Sequence, residues 1–543
     1  MKAFKTCLRG LLDLLRPLWG KVGVSVINGL VAVSASLFYV WISKQVVDIA
    51  TGQAEGELLP NVLMFAGVML LQIACRVFSR YWSALMQVDC RNNTRKQVFD
   101  KVIRSTWTGK ERFHSGDTLN RLEEDIRVIS DFLCLSMPEF LVTVVQLLAA
   151  SWMLFKLSPR LAWILIWIMP VAVIGSKMFF KKMRKLTNDI REQDSQIQAH
   201  MQENVQNSQL VKMMCSTDAV SGKLETMQGR LRRMVVTRMN YSSVANTTMR
   251  LGFAAGYALA FIWSVFGLKD GIITYGTMVA FLQLVGQVQR PVADMAGQIP
   301  AFIRALSSED RVLELCEQPQ EERERDIVMS GAPGIRLEHL EFSYPDSNDP
   351  VLSDLNFDFS PGTITILKGR TGAGKSTLIK VILSLLKPTS GKAVIYDGAR
   401  ELPVSVGTRC NFQYVPQGNS LMSGTIRQNL LMACPEAGET QLKSALHTAC
   451  ADFVFELADG LDTVCTESGG GVSEGQAQRV AVARALLRPG GVLVLDESTS
   501  SLDEATEQEL LRRLNQHCKG NKTIICISHR PAVSDYADQS LSI

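Results

Sequence analysis

The sequence predicts a multi-domain chain: an all-α domain of six membrane-spanning helices, then an α/β domain organised around a glycine-rich loop. Three observations support this. Six long apolar runs crowd the first three hundred or so residues. Beyond residue 303 short apolar strands alternate with helices. At 369–377 the chain reads GRTGAGKST, between such a strand and such a helix.

Size and composition fit that division. A chain of 543 residues exceeds one ordinary domain. A net charge of +4, with charged residues at 20%, gives no global case for nucleic-acid binding, so where the basic residues lie matters more than their number. The twelve cysteines are scattered without a C-x-x-C pair, which argues against a disulfide framework, a zinc site or a redox motif.

Residues 1–21 mix Lys and Arg with leucines and lack a small-residue cleavage site, so they read as an amphipathic helix at the membrane surface, not a signal peptide. The six runs follow at 22–47, 59–82, 132–155, 161–180, 245–268 and 275–303. Each is close to the roughly 20 residues that cross a bilayer core. The connection 83–131 holds Arg91, Arg95, Lys96 and Lys101, and 181–244 opens with Lys181, Lys182, Arg184 and Lys185. The stretch 48–60 has no Lys or Arg and contains Glu55 and Glu57. Positive loops stay inside, which places both termini in the cytoplasm of a multi-pass membrane protein; the membrane expected is the cell membrane, a bacterial inner membrane. Both long connections are nearly free of proline and glycine, as expected of helices that continue past the bilayer, and Gly116 marks a turn in the first. The transmembrane domain is thus expected over 22–306, a linker over 307–333 and the α/β domain over 334–543.

The sixth run carries a polar stripe. Gln283, Gln287, Arg290, Asp294 and Gln298 share one helical face. Either they line a hydrated cavity, or the helix has left the bilayer near Arg290, where Pro291 would kink it. Glu139, in the third run beside Pro138, is an isolated carboxylate that favours function unless it sits at headgroup depth.

The glycine-rich loop fits G-x-x-x-x-G-K-[ST], after the strand 363–367 and before the helix 377–386. Backbone N–H groups around Gly369, Thr371, Gly372, Ala373 and Gly374 can wrap phosphate oxygens, helped by the helix N-terminus at Thr377. Lys375 is expected to reach the β- and γ-phosphates and Ser376 to hold Mg²⁺. Downstream, the apolar strand GVLVL ends in Asp496 and Glu497. Asp496 is placed to hold Mg²⁺, and Glu497 to orient or deprotonate attacking water. These features define a P-loop nucleotide-binding domain with Mg²⁺ as a cofactor.

Across essentially its whole length the chain resembles the ATP-binding cassette (ABC) exporter family. The ordered motifs are Tyr344 in FSYP, the loop 369–377, Gln417 in YVPQ, the stretch VSEGQ at 472–476, the acids Asp496 and Glu497, SLD ending at Asp503, and His529 in ISHR. The resemblance implies that the nucleotide is ATP, that Tyr344 stacks on adenine, that Gln417 senses Mg²⁺ and attacking water, and that His529 contacts the γ-phosphate. It also implies that Ser473, Gly475 and Gln476 meet nucleotide bound by a second subunit. Glu474 stands where the family usually has glycine, and Glu467 stands where exporters carry an acid facing the membrane-domain loops. One loop, one signature and six runs imply a half-transporter that pairs with a second half, identical or different. ATP-driven closure would be relayed through connection tips near 116–120 and 213–220, docking near Gln417. The cargo expected is amphipathic or hydrophobic, a lipid, drug or peptide moved outward by alternating access. An ATP-gated channel or regulator is the alternative.

Overall fold

The computed structural model describes residues 2–107, 115–160, 162–163, 180–322, 324–345, 349–370, 372–466, 471–528, 530 and 535–543. It is a helical transmembrane domain followed by an α/β nucleotide-binding domain, as the sequence predicts. Contacts divide the chain into two compact units, Met1–Phe99 with Leu119–Cys316, and Asp100–Thr118 with Glu317–Ile543.

The first unit is built from α1 (Lys2–Leu15), α2 (Trp19–Ala50), α3 (Leu58–Ile103), α4 (Asp117–Leu157), α5 (Phe180–Gln206), α6 (Thr217–Lys269) and α7 (Tyr275–Cys316). Among the described residues four helices are long and apolar enough to cross a bilayer: Thr6–Ala50, Leu58–Ile103, Asp117–Leu157 and Thr217–Lys269. Most of the expected fourth run lies outside the described residues. The expected sixth is helical but less apolar, because its glutamines, Arg290 and Asp294 interrupt it. α7 runs unbroken through Pro291 and Pro300, so the helix does not end at the first proline. α4 instead widens at Phe132–Ser136. Pro138 has no N–H for the i−4 carbonyl, and the wider turn before it absorbs that defect.

Polar groups tie the long helices together. Asn28 Nδ2 donates to the Cys75 carbonyl (3.0 Å) and Gln72 Nε2 to the Ala35 carbonyl (3.2 Å), joining α2 to α3. The upper part of the α7 stripe is spent the same way: Ser43 Oγ donates to Gln283 Oε1 (3.0 Å), and Gln287 Nε2 donates to the Ser36 carbonyl (3.2 Å). Of the stripe, only Asp294 lines the main cavity of this unit.

α1 is an amphipathic helix whose apolar side is covered within this unit. Its stripe of Cys7, Leu11 and Leu15 is buried, and the helix packs on α7. Gly10 leaves room for the Glu309 carboxyl, since a Cβ there would lie 2.3 Å from its Oε1. Glu309 is 2% exposed, and burial pushes its carboxyl up to about 7. Its folded pKa lies above the unfolded value, so its contribution is fully present below the ordinary carboxylate range and is lost as pH rises through about 7. Glu309→Gln is therefore expected to flatten the fall in melting temperature over that window. An unchanged slope against pH would show that the carboxyl does not titrate there.

The second unit holds two main sheets. The strands are β1 (Gly334–Phe342), β2 (Leu352–Phe359), β3 (Ile364–Lys368), β4 (Ser390–Tyr396), β5 (Glu401–Pro403), β6 (Phe412–Val415), β7 (Gly424–Thr425), β8 (Val464–Cys465), β9 (Val492–Asp496), β10 (Thr523–Ile527) and β11 (Gln539–Ser542). An antiparallel sheet runs β2-β1-β4-β5, a parallel one runs β11-β3-β10-β9-β6, and β7 pairs with β8. β9 and β10 are buried at every position. They read as continuous apolar runs because helices cover both faces of a parallel sheet.

Candidate nucleotide-binding site

The carboxyl ends of β3, β6, β9 and β10 lie side by side in the parallel sheet. In an open α/β sheet that edge is where ligands settle. Each of these strands delivers a sequence-predicted residue or its neighbour: β3 leads into the glycine loop, β6 into Gln417, β9 ends in Asp496 and Glu497, and β10 leads to Ser528.

The loop turns on left-handed backbone. Gly372 and Gly374 have φ of 86° and 99°, which costs glycine little and other residues much more. A Cβ on Gly372 would meet nothing within 4 Å, so the loop borders open space at that residue. α8 (Lys375–Ile382) starts directly from Gly374, so its unpaired N–H groups face the loop. Lys375 is 7% exposed, and its Nζ donates to the Gly369 carbonyl at 2.6 Å. Thr377 Oγ1 is 3.1 Å from the Tyr344 hydroxyl, whose ring packs edge-on against Phe342. Ser376 and Ala373 lie on the same turn; Thr371 lies outside the described residues.

Asp496 is buried, and its Oδ1 has no hydrogen-bond partner among the described residues. Burial raises its pKa, while Lys380 and Lys375 act in the opposite sense. An orphaned buried carboxylate oxygen facing a lysine-bearing loop fits a cation or its water. Glu497 adopts φ of 47°, a left-handed value that costs a non-glycine residue about 1–3 kcal/mol and clusters at functional sites. Its Oε2 accepts from Gln417 Nε2 at 2.6 Å, so the structure brings together the two groups expected at the attacking water. His529 and Glu467 lie outside the described residues.

Three contributors escaped the sequence reading. Tyr414 on β6 donates to Asp496 Oδ2 (3.3 Å). Arg530 donates to the carbonyls of Ser500 and Leu502 (both 2.7 Å) and to Glu507, bracing the segment after Glu497; its only signal was its place beside His529. Trp107, from the first long connection, belongs to this unit and lies under Lys380 Nζ, 4.5 Å from the ring centroid.

The signature stretch caps α11 (Glu474–Leu487), which follows α9 (Ile426–Leu431) and α10 (Glu439–Thr448) and precedes α12 (Glu504–Cys518). Ser473 Oγ accepts from the Gln476 N–H (3.2 Å), and Gln476 Oε1 accepts from the Ser473 N–H (2.8 Å). This reciprocal cap fixes the helix start and gives Gln476 a structural duty that the sequence reading had not assigned. Gly475 has no room for a side chain, since a Cβ would lie 2.9 Å from the Ser501 carbonyl.

Two family models match this chain: an ABC transporter transmembrane region over residues 22–292 and an ABC transporter domain over 352–500. The chain belongs to the ABC transporter family. Among its relatives, the uncharacterized ABC transporter ATP-binding protein YfiC of Bacillus subtilis is 26% identical, covering 97% of this chain and 89% of its own length. An ATP-dependent lipid A-core flippase of Bordetella avium is also 26% identical, covering 88% of this chain and 81% of its own length. The solved structure of a bacterial Atm1-family ABC exporter with ATP bound shares the fold, with a TM-score of 0.81 at 22% identity over 97% of this chain and 93% of that one. The chain is thus an ATP-binding transporter subunit of the half-transporter type, a multi-pass membrane protein.

This transporter's departure at Glu474 has a local account. Glu474 is exposed at the first position of α11, where a carboxylate complements the helix dipole by about 0.3–1 kcal/mol. Glu474→Gly is therefore expected to lower stability by about 1 kcal/mol, from lost dipole pairing and glycine's helix penalty, with ATP turnover retained. Abolished turnover in a folded variant would show that Glu474 acts on nucleotide.

Proposed function

We propose that the chain hydrolyses ATP to move an amphipathic or hydrophobic cargo outward across the cell membrane by alternating access, with both termini cytoplasmic. The observation that carries this reading is the Gln417–Glu497 contact at the sheet edge from which the phosphate loop also springs, since mere nucleotide binding needs no paired water-orienting groups.

In this reading Lys375 and the loop N–H groups hold the phosphates and Tyr344 packs by the base. Ser376, Asp496 and Gln417 would hold Mg²⁺, which supplies charge neutralisation on the phosphates when bound. Glu497 takes the proton of the attacking water, with Gln417 and His529 fixing water and γ-phosphate. Ser473 and Gly475 face nucleotide bound by a second half, an identical chain in the simplest arrangement. The packing of Trp107 against Lys380 supports a relay from the first long connection to the phosphate-loop helix, alongside the tips near 116–120 and 213–220. The lipid A-core flippase among the relatives favours a lipid-like cargo.

The test is ATP-dependent uptake of a fluorescent short-chain phospholipid into inside-out vesicles. Wild type should transport and Glu497→Gln should not; uptake at full rate in the variant would sink the pump reading.

A further inference from the structure

We propose that the main cavity of the membrane unit binds a zwitterionic cargo head, one that carries an oxyanion (carboxylate or phosphate) and a separate ammonium group. This rests on the transport reading above and narrows it.

The cavity has a volume of about 600 Å³ and is formed by α2, α3, α4 and α7, within the range of small-molecule sites. Four charged side chains line it: Arg76 and Arg80 on α3, Glu139 on α4 and Asp294 on α7. Among the described residues none of the four is joined to another by an ion pair. Charges at membrane depth are costly unless they face water, a partner or a ligand. Here they face a shared space whose remaining walls are rich in hydroxyls and amides, Gln72 and Gln146 among them.

The sign pattern decides the class. Arg76 and Arg80 are four residues apart, hence neighbours on one helical face, and two guanidinium forks there suit a carboxylate or phosphate. Glu139 and Asp294 come from two other helices and together suit an ammonium. A purely anionic cargo would meet the two carboxylates unpaired, a purely cationic one would meet the two guanidiniums, and an uncharged apolar one would strip water from all four. Only a cargo bearing both signs satisfies both pairs.

Depth agrees with this. The lining residues lie in the first half of the first span, the last part of the second, the start of the third and the last part of the sixth. With cytoplasmic termini these are all cytoplasmic ends, the level at which an amphiphile of the inner leaflet presents its head.

The experiment uses the full chain in phosphatidylglycerol nanodiscs and three probes with one tail: dodecylphosphoethanolamine, its N-acetyl derivative, which keeps only the anion, and the uncharged dodecyl maltoside. The zwitterion should bind about tenfold more tightly than either, the scale of a charge-assisted contact. Glu139→Gln with Asp294→Asn should erase the difference between the zwitterion and its N-acetyl form. Arg76→Gln with Arg80→Gln should weaken both, and Arg76→Lys with Arg80→Lys should restore most of that loss. Equal binding of the three probes, or no binding of the zwitterion, overturns the proposal on wild type alone, whatever the variants' folding. ATP-dependent uptake lost in Glu497→Gln would leave the pump reading standing even then, so the two readings fail separately.

Discussion

Exchanging Glu497 for glutamine is expected to cut steady-state ATP turnover by about 10²–10⁴-fold, the scale of a lost general base, while nucleotide affinity stays within a few-fold. The substitution is nearly isosteric. The new side-chain amide could still accept from Gln417 Nε2 through its oxygen, so the 2.6 Å contact has a replacement and the loop geometry is preserved. The left-handed backbone at this position is set by the turn out of β9, where the Glu497 N–H donates to the Ile527 carbonyl at 3.2 Å. That bond does not involve the side chain. What disappears is the capacity to accept the proton of the attacking water. Phosphate release and binding of a fluorescent nucleotide, measured on the same preparation, separate the two effects. Turnover within about threefold of wild type would show that proton acceptance at 497 contributes less than the general-base scale requires.

Much of the cassette was legible because its motifs are local. GRTGAGKST encodes its own strand, turn and helix, and the buried strand GVLVL is apolar at every position because β9 lies inside a parallel sheet. What was not legible depends on distant segments. Tyr414 meets Asp496 only because β6 pairs with β9, and Arg530 braces Ser500 and Leu502 only once β10 stands beside β9. In the membrane unit the apolar runs were plain, yet Arg76 and Arg80 were hidden inside one of them. Averaging along a span registers how many polar residues it holds, not that they share a face with Gln72 and Ser83 toward a cavity. The polar stripe on α7 left two readings open, cavity lining or a helix already out of the bilayer, and its members divide: Gln283 and Gln287 bond to α2 while Asp294 alone of the stripe reaches the cavity.

Lys375→Ala is expected to weaken Mg·ATP binding by about 10–100-fold, the worth of one or two charge-assisted hydrogen bonds, and to abolish measurable turnover. The loss has two routes. The first is direct: the ammonium that would meet the phosphates is gone, and the Gly369 carbonyl loses its 2.6 Å donor. The second runs through Asp496. Burial already raises the pKa of that carboxyl, and Lys375 is one of two cations that hold it down. Without Lys375 the pKa rises further, so the charged form that suits a cation is lost at a higher pH as conditions become acid. The acid limb of Mg·ATP affinity should therefore move to higher pH in Lys375→Ala, a shift that a purely steric role for the lysine would not produce. Lys375→Arg separates the routes: it keeps the positive charge beside Asp496 but replaces a compact ammonium with a planar fork too large for the turn. That variant should bind weakly, yet retain the acid limb of the wild type. If all three proteins share one pH profile, Lys375 does not set the ionisation of Asp496, and the direct route alone accounts for the loss.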